Sequence, residues 1–401
     1  MNPSNARTRS EQILSESNGV IRLEPAWVAR DWLPPGRRLG LEDEAYDVGE
    51  RGAICERWLA STTRADNPVG PSDEGLSYVA VDGEPLLLRA LVESDPAAVL
   101  GAEYARTHTG LGRLAKIFDY GARLPFHIHP RSEHAKLVGR NPKEEAYYFP
   151  RGADLGAHPE TFFGLHPSVV ERHEYEVLVP YLVEWKTDLI LRHSRAELQV
   201  PGEGFHVPAG VLHAPGTALT IELQEDSDTL AMLQALNAGR IISKEFLFKD
   251  IHCDKRRDLG ERAVLEWIDW EVNGDPYFFE NHHLQPVPVH ETEQEGGREE
   301  WLFANSSKFS GKRLEIDAGA SYSSVDNGVY SLLVWEGEGT FDGVPVRGGS
   351  PGSDELVVCH SRATQPVRIV NRGQDKLVIF KFFGPDINHN VPRIMTRYAV
   401  A

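Results

Sequence analysis

Residues 126–130 read Phe126-His127-Ile128-His129-Pro130, and residues 201–213 read Pro201-Gly202-Glu203-Gly204-Phe205-His206-Val207-Pro208-Ala209-Gly210-Val211-Leu212-His213. In a strand, alternate side chains share a face. His127 and His129 therefore point together, and Phe126 and Ile128 point the other way into apolar packing. Two imidazoles side by side can be two ligands of one metal ion. The second stretch sets a strand, a tight Pro-x-Gly turn and a histidine in sequence. That turn can return the chain so that His213 faces the same cavity. Between the two stretches lies Lys143-Glu144-Glu145-Ala146-Tyr147-Tyr148-Phe149, a strand-like run entered by carboxylates. Glu144 and Glu145 are neighbours, so in a strand they face opposite sides and only one can reach the metal. Three histidines and one glutamate make a mixed N/O set for a divalent ion, with positions left for water or substrate.

An isolated His-x-His is more often a polar strand face than a ligand pair. The weight changes because the Glu and the spacing Gly202, Pro208, Gly210, His213 follow in order. Together they resemble the two motifs of the cupin family of double-stranded β-helices. Nine of the sixteen histidines lie between His127 and His213, so the surplus of this residue coincides with the motifs. By contrast, His206 reads as a residue beside the site or a solvated strand residue, and His134 as an exposed residue of a short helix.

The surrounding chain agrees with a mainly β reading. LAKIFDYG (114–121), LPFHIHP (124–130), EEAYYFP (144–150), ELQVPGEGFHVP (197–208) and ALTIELQE (218–225) are strand-like. Residues 166–194 carry apolar positions at mixed helical spacing and read as a helical insertion. Beyond Trp270 the style changes to regular short strands separated by turns, such as KRLEIDAG, DELVVCHS and DKLVIFKFFGPD. Turns at that spacing indicate a sandwich or barrel. The expected organisation is a flexible segment (1–22), a metal-binding domain with the helical insertion (23–264) and a second β domain (265–401). The second domain lacks a His-x-His…Glu…His set, so it reads as metal-free.

Composition excludes several classes. Lys+Arg is 42 and Asp+Glu 60, a net charge of −18. Such an anion lacks the basic surface that nucleic-acid binding needs and is ill suited to an anionic membrane face. No apolar run approaches the roughly 20 residues that span a bilayer. The first residues have no apolar core like a signal peptide's, and the three cysteines are far apart. A cytoplasmic protein acting on a small molecule is the expectation. A P-loop, HExxH and G-x-S-x-G are absent, and Gly337-Glu338-Gly339 sits in a strand-turn context rather than before a helix.

Over residues 52–224 and slightly beyond, the chain is similar to the type I mannose-6-phosphate isomerases. The resemblance rests on four places. The first is Ile54-Cys55-Glu56-Arg57-Trp58, and the second is Val81-Asp82-Gly83-Glu84-Pro85-Leu86 followed by Leu100-Gly101. The third is Leu114-Ala115-Lys116-Ile117-Phe118-Asp119-Tyr120 leading to the His-x-His run. The fourth is Pro208-Ala209-Gly210-Val211-Leu212-His213-Ala214 with Ile221-Glu222 and Ser227-Asp228. The resemblance implies cupin (jelly-roll) domains with a helical part, and a zinc ion on His127, His129, Glu145 and His213. It also implies an active-site lysine at Lys143 and an aldose–ketose isomerisation through an enediol. The candidate base is Lys143, its pKa lowered by burial beside the metal, or Glu144.

Two departures matter. His127 stands where the family has glutamine, and the resulting three-His-one-Glu set also suits Mn, Fe or Ni. Met232 stands where the family has an active-site arginine, which leaves Arg240 as the candidate substitute. Recognition of a phosphate ester is thereby weakened, and Lys136, Arg140 and Lys143 read either as an anion pocket or as solvated surface. The expected substrate is a sugar or sugar phosphate. The competing expectations are a metallocupin of another class, dioxygenase-like on its His3Glu set, and a sugar-binding cupin without turnover.

Overall fold

The computed structural model describes residues 3–81 and 83–394, so Asp82 of the second resemblance motif lies outside it. The chain is mainly β and has the cupin fold. Two antiparallel sheets enclose the region around the His-x-His run. One is seven-stranded, in the order His283–Leu284, Gly204–Val207, Glu145–Tyr148, Thr220–Glu225, Arg113–Phe118, Ala53–Leu59, Ala26–Arg30. The other is five-stranded, in the order Arg195–Leu198, Glu160–Phe163, His213–Ala214, His127–Ile128, Ala231–Met232.

Strand alternation sorts the side chains of the seven-stranded sheet into two unlike faces. Ala115, Ile117, Ala146, Tyr148, Ile221 and Leu223 point outward and pack against Phe303, Phe309, Phe380 and Phe382 of the C-terminal half. The intervening residues point into the barrel. They include Lys116, Phe118, Glu145, Tyr147 and Glu222, all buried. In the five-stranded sheet the arrangement is mirrored. Phe126 and Ile128 turn away from the barrel and join Leu178, Leu182, Trp185, Ile190, Leu247 and Trp267. Each such side chain, fully buried, contributes roughly 1.5–3 kcal/mol. Residues 166–194 supply part of that cover as short helices, among them Pro167–Glu171 and Val179–Glu184.

A nine-stranded sheet and a four-stranded sheet form the C-terminal barrel. Its boundary departs from the expected one. Residues 1–22 were expected to be flexible, yet Pro3–Glu16 is a helix and Val20–Glu24 pairs with Glu355–Val358, Val20 opposite Val358. Tyr78–Val79 and Leu86–Leu87 extend the same sheet. In return, His283–Leu284 leaves the C-terminal half and pairs with Gly204–Val207. Each barrel thus borrows strands from the other half of the chain. An apolar strand such as Val20-Ile21 is drawn to whichever sheet edge can bury it, a choice local sequence does not encode.

Candidate metal centre and its cavity

His127 and His213 are register partners on adjacent strands of the five-stranded sheet, and His129 follows one alternation later. Glu145 reaches them from the opposing sheet. The turn before His213 is what delivers it. Gly210 there has φ +87°, a conformation that favours glycine, and a Cβ would approach the Trp267 carbonyl oxygen to 2.9 Å. The Gly210 N–H also donates to the His129 carbonyl at 3.0 Å, tying the turn to the His-x-His strand.

The three imidazoles are held alike. Nδ1 of His127 donates to the Pro125 carbonyl (2.7 Å), Nδ1 of His129 to that of Thr229 (2.7 Å), and Nδ1 of His213 to that of Val211 (2.9 Å). Each Nε2 is thereby turned toward the other two, the arrangement that orients ligand histidines. The three nitrogens lie within 4.8 Å of one another. Burial, then His213 and His129, drives His127 well below the ordinary histidine range, and burial with Lys143 pushes His129 down to about 3. Both rings are neutral at pH 7.

Against these nitrogens sits an acceptor. Glu145 Oε1 is 2.9 Å from His213 Nε2, and Oε2 is 3.1 Å from His129 Nε2. His213 Nε2 is buried without a hydrogen-bonding partner, and the cation beside Glu145 Oε2 is the Lys143 ammonium, 2.8 Å away. Imidazole nitrogens facing a carboxylate in a dry site suit a cation between them. The donor set of three imidazoles and one carboxylate thus fits a divalent metal.

Behind the centre runs a narrow recess that opens to solvent. A buried charged row crosses its floor on the seven-stranded sheet. Lys143 Nζ is 2.8 Å from Glu145 and 3.4 Å from Glu222. Lys116 Nζ is 3.2 Å from Glu222 and 3.7 Å from Glu56. Arg30 is 2.8 Å from Glu56 and 3.2 Å from Asp228. The rest of the lining is apolar and aromatic, with Trp32, Phe118, Tyr120, Leu124, Leu230 and Met232.

The row sets the protonation states. Burial acts to lower Lys143, but Glu145 and Glu222 outweigh it and hold the ammonium above its ordinary pKa. The expectation of a lowered lysine is therefore corrected: two carboxylates face it. Burial, reinforced by Glu145, raises the Glu222 carboxyl to about 7. Against burial, Arg30 and Lys116 keep Glu56 below the usual carboxylate range.

Of the expected residues, His127, His129, Lys143, Glu145 and His213 come together. Glu144 does not join them. One residue out of phase with Glu145, it lies toward the C-terminal half, accepting from His206 Nε2 at 3.0 Å and from Ser306 Oγ. Arg240 also stays away. The Leu236–Asn237/Arg240–Ile241 hairpin turns through Ala238 and Gly239, both at positive φ, and presents Arg240 to solvent. Met232, by contrast, lies in register beside His127 and lines the cavity. Arg30, Glu56, Lys116, Tyr147, Glu222 and Asp228 were not assigned from sequence. Their signal was a lone charge inside an apolar run, as in Leu114-Ala115-Lys116-Ile117-Phe118 and Ile221-Glu222-Leu223.

The site and sheets define a cupin with a candidate metal centre. A scan against protein-family models finds no match. Two curated relatives do match, both from Bacillus subtilis (strain 168). The probable mannose-6-phosphate isomerase GmuF is 26% identical over 216 residues, 53% of this chain and 58% of the relative. The mannose-6-phosphate isomerase ManA is 30% identical over 175 residues, 43% of this chain and 48% of the relative. The matched stretches thus span about half the length of these relatives. Among solved structures, the mannose 6-phosphate isomerase of Bacillus subtilis superposes with a TM-score of 0.62 at 19% identity, covering 90% of this chain and 99% of that one. A zinc-bound mannose 6-phosphate isomerase superposes with a TM-score of 0.60 at 13% identity, covering 92% and 100%. The curated relatives and the superposed structures alike carry the name mannose-6-phosphate isomerase, and the structures share the fold of this chain. Among the described residues, no helix is long and apolar enough to cross a membrane.

Proposed function

We propose that the protein is a metal-dependent aldose–ketose isomerase acting on a sugar or sugar phosphate, working in the cytoplasm on a small molecule. One observation carries the reading: three buried imidazoles, each with Nδ1 tied to a backbone carbonyl, bring their Nε2 atoms within 4.8 Å of one another beside the Glu145 carboxylate. His127, His129, Glu145 and His213 would hold the ion, zinc foremost, with Mn, Fe or Ni as the other candidates. When bound, the ion supplies Lewis acidity toward the carbonyl and hydroxyl oxygens of the sugar.

The chain's own groups handle the proton. Isomerisation moves one proton between C1 and C2, with an enediol between the two states. Glu222 faces the cavity with a carboxyl poised near neutrality, so its carboxylate takes the proton and returns it to the neighbouring carbon. The Lys143 ammonium, held charged, donates to the oxygen on which negative charge develops. Trp32, Phe118, Leu124 and Met232 keep water from the enediol. Glu144 and Arg240, outside this cavity, have no part in the proposal. The names carried by the relatives favour an isomerase over a dioxygenase.

Elemental analysis of the purified protein, followed by an aldose and ketose panel with and without 6-phosphate, tests the reading. Zinc with interconversion of one aldose–ketose pair is expected. Redox-active iron with oxygen uptake and no ketose from any aldose would overturn it.

A further inference from the structure

We infer that the cavity is built for a neutral aldose or ketose and discriminates against sugar phosphates. This rests on the isomerase reading and narrows its substrate. A phosphate dianion is bound by cations or N–H groups left free to meet it, typically through short charge-assisted hydrogen bonds. The lining of this cavity holds three permanent cations, Arg30, Lys116 and Lys143, and four carboxylates, Glu56, Glu145, Glu222 and Asp228.

Each cation is already engaged. Arg30 meets Glu56 and Asp228, and its third contact is Asn67 Oδ1 at 2.8 Å. Lys116 meets Glu222 and Glu56, and Lys143 meets Glu145 and Glu222. Metal occupancy does not free them. With Glu145 committed to the ion, Lys143 keeps Glu222, and three cations still face three carboxylates. The surface cations nearby do not serve either: Lys136 and Arg140 are exposed and do not line the recess, and Arg140 is paired with Asp66 at 3.1 Å.

What remains suits a polyol. The half-buried Trp32 stacks with Tyr120 at 5.6 Å between ring centroids and 24° between planes. These rings offer an apolar face to the C–H side of a sugar ring, while the paired carboxylates offer acceptors to its hydroxyls. Met232, in register beside His127, occupies the wall with a thioether where a cation would be needed for an anion.

Calorimetric titration of the zinc-loaded protein with D-mannose, D-fructose and D-mannose 6-phosphate tests this, with turnover of each followed in parallel. A free sugar is expected to bind and to react at least about tenfold better, in Kd and in kcat/KM, than the ester. Met232→Arg adds an unpaired cation and Asp228→Asn releases one carboxylate from Arg30. Either should shift the ester-to-sugar affinity ratio by about tenfold or more toward the ester, so the inference survives the misfolding of one variant. Preference of the unmodified protein for the ester overturns the inference while its conversion upholds the isomerase. Binding of free sugar without conversion upholds the ligand class and sinks the isomerase. Binding of neither overturns the inference.

Discussion

Both barrels of this chain bury charged side chains between two sheets, and the two sets behave differently. In the C-terminal barrel, Lys381 donates to Glu299, to Ser324 Oγ (2.6 Å) and to Asp326 (2.9 Å). Lys312 meets Glu299 at 3.4 Å and Asp326 at 3.3 Å. Two ammonium groups thus saturate two carboxylates, and none of those charged atoms lacks a partner. In the first barrel the row from Arg30 to Lys143 is similarly paired, but it ends in imidazole nitrogens and a carboxylate oxygen that oppose one another. A buried charge cluster that satisfies itself is a structural plug. One that leaves convergent acceptors is a place for a cation.

The contrast can be broken by experiment. His129→Ala or His213→Ala should abolish metal binding and activity, read by elemental analysis, whereas His282→Ala should keep full metal occupancy. If both site variants retain the ion, the first barrel is no different from the second. Glu222→Gln should keep the metal while lowering kcat by about 10²–10⁴-fold, the usual contribution of a general base. An unchanged kcat would assign the proton to another group. Lys381→Met should act on stability alone. It leaves two buried carboxylates to Lys312 and should cost about 3–5 kcal/mol in chemical denaturation, with the metal content unaltered.

The smallest effect is a pH dependence at the seam between the halves. His282 is buried beside His206, with Glu144 and Arg195 also acting on it, and burial followed by His206 depresses its pKa to about 3. The unfolded chain takes up a proton near pH 6.5 that the folded chain refuses. Stability contributed by this residue is therefore whole above about pH 6.5 and falls as pH drops toward 3, by up to about 1.4 kcal/mol per pH unit. His282→Phe should flatten the difference between denaturation midpoints at pH 8 and pH 5. An unchanged difference would show that His282 is not the group responsible.

The convergence of the three histidines was legible because it is written in local geometry. His-x-His needs only strand alternation, and the Pro208–Gly210 turn needs only glycine at positive φ. Between Glu144 and Glu145, alternation showed that one must face away, and the family resemblance preferred Glu145. Which side each took depended on the sheet. The helical cover over residues 166–194 was read from mixed apolar spacing. The change in strand rhythm beyond Trp270 suggested a second β domain, but nothing in it foretold the strands that the two halves exchange. Val20–Glu24 could not be assigned to the distant sheet it completes, because the pairing partner lies more than three hundred residues away, at Glu355–Val358. Arg240 was placed by its distance along the chain from Met232, and a hairpin then turned it to solvent.

Sequence alone settled which side chains can ligate and on which face they lie, since both follow from a period of two along a single strand. The tertiary structure decided which charges share a cavity. Arg30 and Asp228 are 198 positions apart, and Lys116 and Glu222 meet only because their strands pair in one register. Pairing of this kind is set by how two sheets bury their apolar faces against helices and against each other. It therefore determined which charges of the cavity pair with one another, and with it the kind of sugar the chain is inferred to hold.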